Sequence, residues 1–256
     1  MQWLIPVAMG LWAVWTWSHE HEKERQKARA RMGALYVNPF LSACEDLQSR
    51  IYNILELNGL SALRQRYPDG AYAEETLYLI ARYFGWAVTV QRYGPYAQDA
   101  VVTQLTEAVR RAFATADAAH PVGPFNFFHA EQKALGKLVM HRTKGEHGAE
   151  LDTVSCYAFK ERLAAPPLRE SASVTETLEA LRTVQEIRTL PGRPRLAEAQ
   201  FHLVDLLGYL EGREGYRLFN GERKKCAALP SPSAPDPLQA MSETSSLDSA
   251  IQPTST

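Results

Sequence analysis

The chain has 256 residues, of which 45% are hydrophobic and 22% charged, and carries a net charge of −1. That balance excludes an intrinsically disordered chain, and it offers no concentrated cationic face, so no nucleic-acid partner is expected. The three cysteines, Cys44, Cys156 and Cys226, lie far apart with no CxxC pair, which argues against a disulfide framework or a zinc knuckle.

The chain opens MQWLIPVAMGLWAVWTWSHEHEKERQKARARM. Gln2 to Ser18 contains no ionisable side chain, and as a helix rising about 1.5 Å per residue it spans roughly 25 Å, slightly less than a hydrocarbon core of about 30 Å. Trp3 near one end and Trp12, Trp15 and Trp17 toward the other suit the headgroup level. Lys23, Arg25, Lys27, Arg29 and Arg31 follow the apolar run, whereas a cleaved signal peptide carries its bases before it. Residues 1–18 are therefore expected to form a single-pass transmembrane anchor, with the lipid bilayer contacted through residues 2–18. Positive flanks stay inside, so the N-terminus is expected outside and the rest of the chain in the cytoplasm. A buried core helix is the alternative. Residues 19–37 read as a charged juxtamembrane helix or linker, in which Glu24 and Lys27 share a face.

Residues 38–165 read as a cytoplasmic helical domain with short strands. Asn38-Pro39 marks its entry, and Ser42 with Glu45 has the capping-box spacing. Cys44, Leu47, Ile51, Ile54 and Leu55 recur at helical spacing over 43–57, which ends at Asn58-Gly59. A helical turn over 60–66 leads to the turn signal Tyr67-Pro68-Asp69-Gly70. Leu77, Ile80, Ala81 and Phe84 predict a helix that stops at Gly85. Trp86, Val88 and Val90 then alternate with Ala87, Thr89 and Gln91, the period of a half-buried strand. The pattern over 98–114 is helical, and FNFF at 125–128 is a candidate second strand. A helix over 129–140 follows, then a surface loop over 142–152, then a helix from Asp152 as N-cap to Ala165.

Ser173 with Glu176 forms another capping box before Val174, Leu178, Leu181, Val184 and Ile187, and Pro191-Gly192-Arg193-Pro194 leads into a last helix, so 173–212 reads as a helical hairpin. Residues 227–256 are Ser-, Thr- and Pro-rich and are expected to be disordered. The predicted fold class is mainly α (α+β): one transmembrane helix, then a compact helical domain with a small two-stranded sheet.

Chemistry is sparse in these patterns. His19-Glu20-His21-Glu22 alternates imidazoles and carboxylates, but residues i and i+2 of a helix do not share a face, so no metal site is expected there. His129, at a strand-to-helix junction with Glu131 two residues on, is the one catalytic candidate; Glu150 or Asp152 would have to be brought near it by folding. Arg92, Tyr93 and Tyr96 around Gly94-Pro95 are candidates for a recognition surface. Trp3, Trp15, Trp17, Lys23 and Arg25 are the candidate membrane-interface residues. No glycine-rich phosphate loop or nucleophile elbow is present, and no cofactor is expected. The function expected on these grounds is a noncatalytic, membrane-tethered interaction or regulatory module with a protein partner. The alternative is a membrane-associated enzyme whose site includes His129 and Glu131.

Overall fold

The amino-terminal sequence forms one uninterrupted helical rod. In the computed structural model, which describes residues 4–118, 120–145, 148–165, 170–184, 186–215, 218 and 222–227, helix α1 (Leu4–Met32) passes through a π-helical turn (Gly33–Val37) into α2 (Asn38–Glu56). Asn38-Pro39 does not break the rod. The Asn38 N–H donates to the Gly33 carbonyl, and the wider turn accommodates the ring of Pro39 at the point where a regular helix would clash. Because a helix is already running, Ser42 caps nothing; its hydroxyl lies 3.3 Å from an Asp46 carboxylate oxygen instead.

Among the described residues no helix is long and apolar enough to cross a membrane. The expected transmembrane anchor over 1–18 therefore finds no support: the run ends in Trp, Thr and Ser, and α1 becomes charged and solvated from His19 onward. Trp3 and the side chain of Trp12 lie outside the described residues, as do residues 228–256 of the tail.

Next come α3 (Gly59–Arg66), α4 (Ala71–Tyr93) and α5 (Ala100–Ala114). The strand expected at 86–91 is the second half of α4. Trp86, Ala87, Thr89 and Val90 are all buried, a helical pattern that the alternation of bulky residues disguised, and the Thr89 hydroxyl donates to the Gly85 carbonyl one turn back at 2.8 Å. Gly85 is a crossing point and not a stop. Helix α6 (His129–Val139) passes so close that a Cβ on Gly136 would stand 2.9 Å from the Gly85 nitrogen. Replacing Gly136 with Val is expected to cost about 2–3 kcal/mol, because backbone on the other side cannot give way; urea midpoints of the two chains measure it.

Phe125–Phe128 is not a strand either. Phe125 has φ 62, and the segment is held by hydrogen bonds from Phe125 N–H to Thr177 Oγ1 (2.7 Å) and from Phe127 N–H to the Phe113 carbonyl (2.8 Å). The sheet lies where the sequence predicted a loop: β1 (Met140–Gly145) pairs antiparallel with β2 (Gly148–Thr153), Met140 opposite Thr153 and Gly145 opposite Gly148. Charged residues along the hairpin hid its period. Asp152 lies within β2, and the cap of α7 (Cys156–Leu163) is Ser155, whose hydroxyl accepts the Ala158 N–H at 3.2 Å.

Helix α8 (Ala172–Thr183) packs mainly on α4, while α9 (Arg193–Glu214) packs on α5 and α2. The two helices of 173–212 thus meet other elements far more than each other. Helices α2, α4, α5 and α9 form a ring, with α6 outside α4, and the aromatic rings of Phe84, Phe113 and Phe127 close it where α4 approaches α5. At the far end Asp99 caps α5, accepting the Val101 and Val102 N–H groups at 3.0 Å, and also pairs with Arg213 of α9. The fold is mainly helical with a small two-stranded sheet. By contacts the chain divides into Met1–Cys226 and Ala227–Thr256, and of the second part only Ala227 is described.

Candidate functional site

His129 is the first residue of α6, and its side chain is 56% exposed. Its Nδ1 lies 3.1 Å from Nη2 of Arg110, and its Nε2 lies 3.8 Å from Oε1 of Glu107. A guanidinium only donates, so Nδ1 is the acceptor and the proton of the neutral ring is assigned to Nε2, facing Glu107. Arg110 is itself fixed from below: its Nε donates to Gln132 Oε1 at 3.0 Å, and Gln132 donates back to the Arg110 carbonyl at 2.8 Å.

Glu131 faces elsewhere. One carboxylate oxygen accepts the Phe128 N–H at 3.0 Å and the other the Ser171 hydroxyl at 2.8 Å, so it closes the start of α6 and ties it to the start of α8. The structure therefore does not bring His129 and Glu131 together as an acid and base. Asp152 accepts the N–H of its own neighbour Thr153, and Glu150 pairs with Thr143 across the hairpin. Replacing His129 with Ala is expected to change stability by less than about 0.5 kcal/mol, since Arg110 keeps Glu107 and Gln132; thermal melts of both chains test this.

Arg92 and Tyr93 remain together on the surface at the end of α4, with the guanidinium 5.2 Å from the ring centre. Tyr96 does not join them: it is fully buried, its hydroxyl donating to Glu214 Oε1 at 2.5 Å while Arg213 lies over its ring. Trp15 (61% exposed) and Trp17 (64%) stand on the arm formed by α1, packed against His19 and His21 one turn on. Lys23 and Arg25 follow on the same exposed arm. No group of three or more metal-ligating side chains converges among the described residues.

The best-formed polar centre is one the sequence did not reveal. Arg195, in the first turn of α9, is 1% exposed and donates four hydrogen bonds, all to carbonyls: Ala112 (3.0 Å), Thr115 (2.7 Å), His120 (3.2 Å) and Pro121 (3.1 Å). The first two belong to the end of α5, the negative pole of that helix, so dipoles take the place of a carboxylate partner. Burial lowers its pKa, though an arginine keeps its proton here. Beside it, Glu198 stands 3.1 Å from His120 and 3.8 Å from His202, and the nearness of His202, and then of His120, holds its carboxyl below the usual range against the effect of burial. The signal that could have found it is a cation in the first turn of a helix, which opposes the helix dipole and so implies a partner elsewhere without naming it.

A second constellation lies where the chain returns after α9. Residues 222–226 run back along α9, toward its start. Arg223 Nη1 and Nη2 each lie 2.7 Å from Glu211, and its Nε lies 2.6 Å from Glu45 of α2. The buried amide of Gln200 donates to the Lys224 carbonyl at 3.0 Å and accepts the Cys226 N–H at 2.9 Å. Lys225 stands 3.5 Å over the Phe201 ring and 2.7 Å from Asp205. Burial pushes the Cys226 thiol up to about 12, so it is a packing group and not a nucleophile. No family model, curated protein or solved structure matches the chain.

Proposed function

We propose that this protein is a noncatalytic interaction or regulatory module, attached to a membrane through the tip of its amino-terminal helical arm and holding its helical body in the cytoplasm. One observation carries the reading: α1 makes its main contact with the adjoining π-helical turn, and the described side chains from Trp15 to Arg31 are solvent-exposed. An arm that contributes so little to the core has its use at its tip, where the tryptophans stand. About 14 residues of charged helix, rising 1.5 Å each, hold that tip roughly 20 Å from the body. Solvent exposure of His129, and the use of Glu131 as a cap, favour the binding module over the enzyme.

The test is flotation of the full chain with phospholipid vesicles at neutral pH. The chain is expected to float with the vesicles, and the Trp15→Ser/Trp17→Ser chain to float several-fold less. An unmutated chain that stays in the dense fraction would overturn membrane attachment. Washing the floated vesicles with alkaline carbonate then separates a spanning tip, which is retained, from an interfacial one, which is released.

A further inference from the structure

The chain from Glu222 to Cys226 covers a face formed by α2 and α9. We propose that the α2–α9 face is a docking groove for a basic extended peptide with an Arg three residues before a small apolar residue, which residues 222–226 fill in cis. The occupant in trans is a partner protein's segment of that chemistry.

Glu45 and Gln48 of α2 and Gln200, Asp205 and Glu211 of α9 lie on two helices that pack on each other independently of the strap. Gln200 is fully buried, and among the described residues its amide bonds to the main chain of residues 224 and 226. An amide that supplies one donor and one acceptor to alternate residues, across the two peptide units that flank position 225, reads the backbone whatever its side chains, as a neighbouring strand does. Specificity comes from the ends. A bidentate carboxylate at Glu211, reinforced by Glu45, selects the planar guanidinium at position 223, and a closed apolar site takes the small side chain at 226. Between them Asp205 and the exposed ring of Phe201 suit a second cation, here Lys225. The face is thus acidic and the occupant basic.

The strap is held by polar contacts, chiefly Arg223 on Glu211 and Glu45, more than by apolar packing. Of its residues only Cys226 is buried, and Glu222 and Lys224 are exposed, so its removal uncovers little apolar area. Step by step it follows α9 backward, Arg223 at Glu211, Lys225 at Asp205 and Cys226 at Gln200. That sequential seating along one helix is the geometry of a bound peptide, and it sets up competition between the strap and any partner segment with the same pattern.

The experiment uses an amino-terminally fluorescein-labelled peptide of the sequence Glu222–Cys226 and the full chain. In fluorescence anisotropy the unmutated chain is expected to bind it weakly, and a chain with the strap disabled by Arg223→Ala and Cys226→Asp at least tenfold more tightly. Adding Glu211→Gln to the disabled chain should abolish the gain, and a scrambled peptide of the same composition should not bind. Equal binding of the scrambled peptide, or no binding to a disabled chain that circular dichroism shows to be folded, would overturn the proposal. Loss of folding in the disabled chain, checked also in the milder Arg223→Ala chain, overturns it too, because the strap would then be an integral part of the fold.

Discussion

Replacing Arg195 with Ala is expected to destabilise the body by about 3–5 kcal/mol, lowering the thermal midpoint by roughly 10 °C. Four carbonyls from the end of α5 and the following loop lose this donor at once; those of Thr115 and His120 keep the Asn126 side chain and the Asp117 N–H, but the Ala112 carbonyl is left buried without it. Arg195→Lys is the informative companion. A lysine keeps the charge but delivers three donors from a single point, so it cannot reach two pairs of carbonyls as a planar fork does, and it should recover less than half of the loss. Chemical denaturation of the three chains measures both effects; an Arg195→Lys chain as stable as the unmutated one would show that charge, and not the fork, matters here.

The second large effect belongs to Phe84. Its ring stands edge-on to Phe113 at 5.4 Å and to Phe127 at 6.2 Å, and is fully enclosed. Phe84→Ala should cost about 3–5 kcal/mol, because a rigid ring of helices cannot collapse onto the cavity. Phe84→Leu, which keeps most of the volume, should cost about 1.5 kcal/mol or less. The two chains together separate volume from aromatic geometry: near-ultraviolet circular dichroism should change in both, but the denaturation midpoint should fall far in the Ala chain alone.

Much of the helical architecture was legible because its signals are local. The helix over 98–114 is present as Ala100–Ala114, and the segment over 43–57 is the inner part of α2. Errors arose where a tertiary neighbour reassigned a local signal. Gly85 looked like a stop and is a contact point with Gly136, information held some fifty residues away along the chain. Trp86, Val88 and Val90 looked like a strand because bulky residues at alternate positions also fit a helix buried on nearly all sides. FNFF looked like a strand because it is apolar, whereas Phe125 and Phe127 plug the end of α5 through irregular backbone. The β-hairpin was missed for the opposite reason, its charged residues leaving no apolar alternation to read.

Of the candidate site residues, those grouped by nearness in sequence were mostly separated by the fold. Tyr96 went inward to Glu214, away from Arg92 and Tyr93, and Glu131 became a cap. The residues that do converge, Arg195 on α5 and Arg223 on α2 and α9, have partners from distant segments, which no local pattern announces.

The π-helical turn at Gly33–Val37 makes the arm an indexed lever. Each residue of an α-helix turns the chain by about 100°, and a π-helical turn holds one residue more than a regular one, so it sets the angular phase between the tip and the body. Deleting a single residue from Gly33–Val37 would let that turn close as a regular one and leave the arm's facing nearly unchanged, whereas deleting one from the regular helix of the charged stretch would swing Trp15 and Trp17 about 100° around the axis, and removing seven there would shorten the arm by two turns and nearly restore its facing. Whatever meets the tip is thus presented with one defined side of the body.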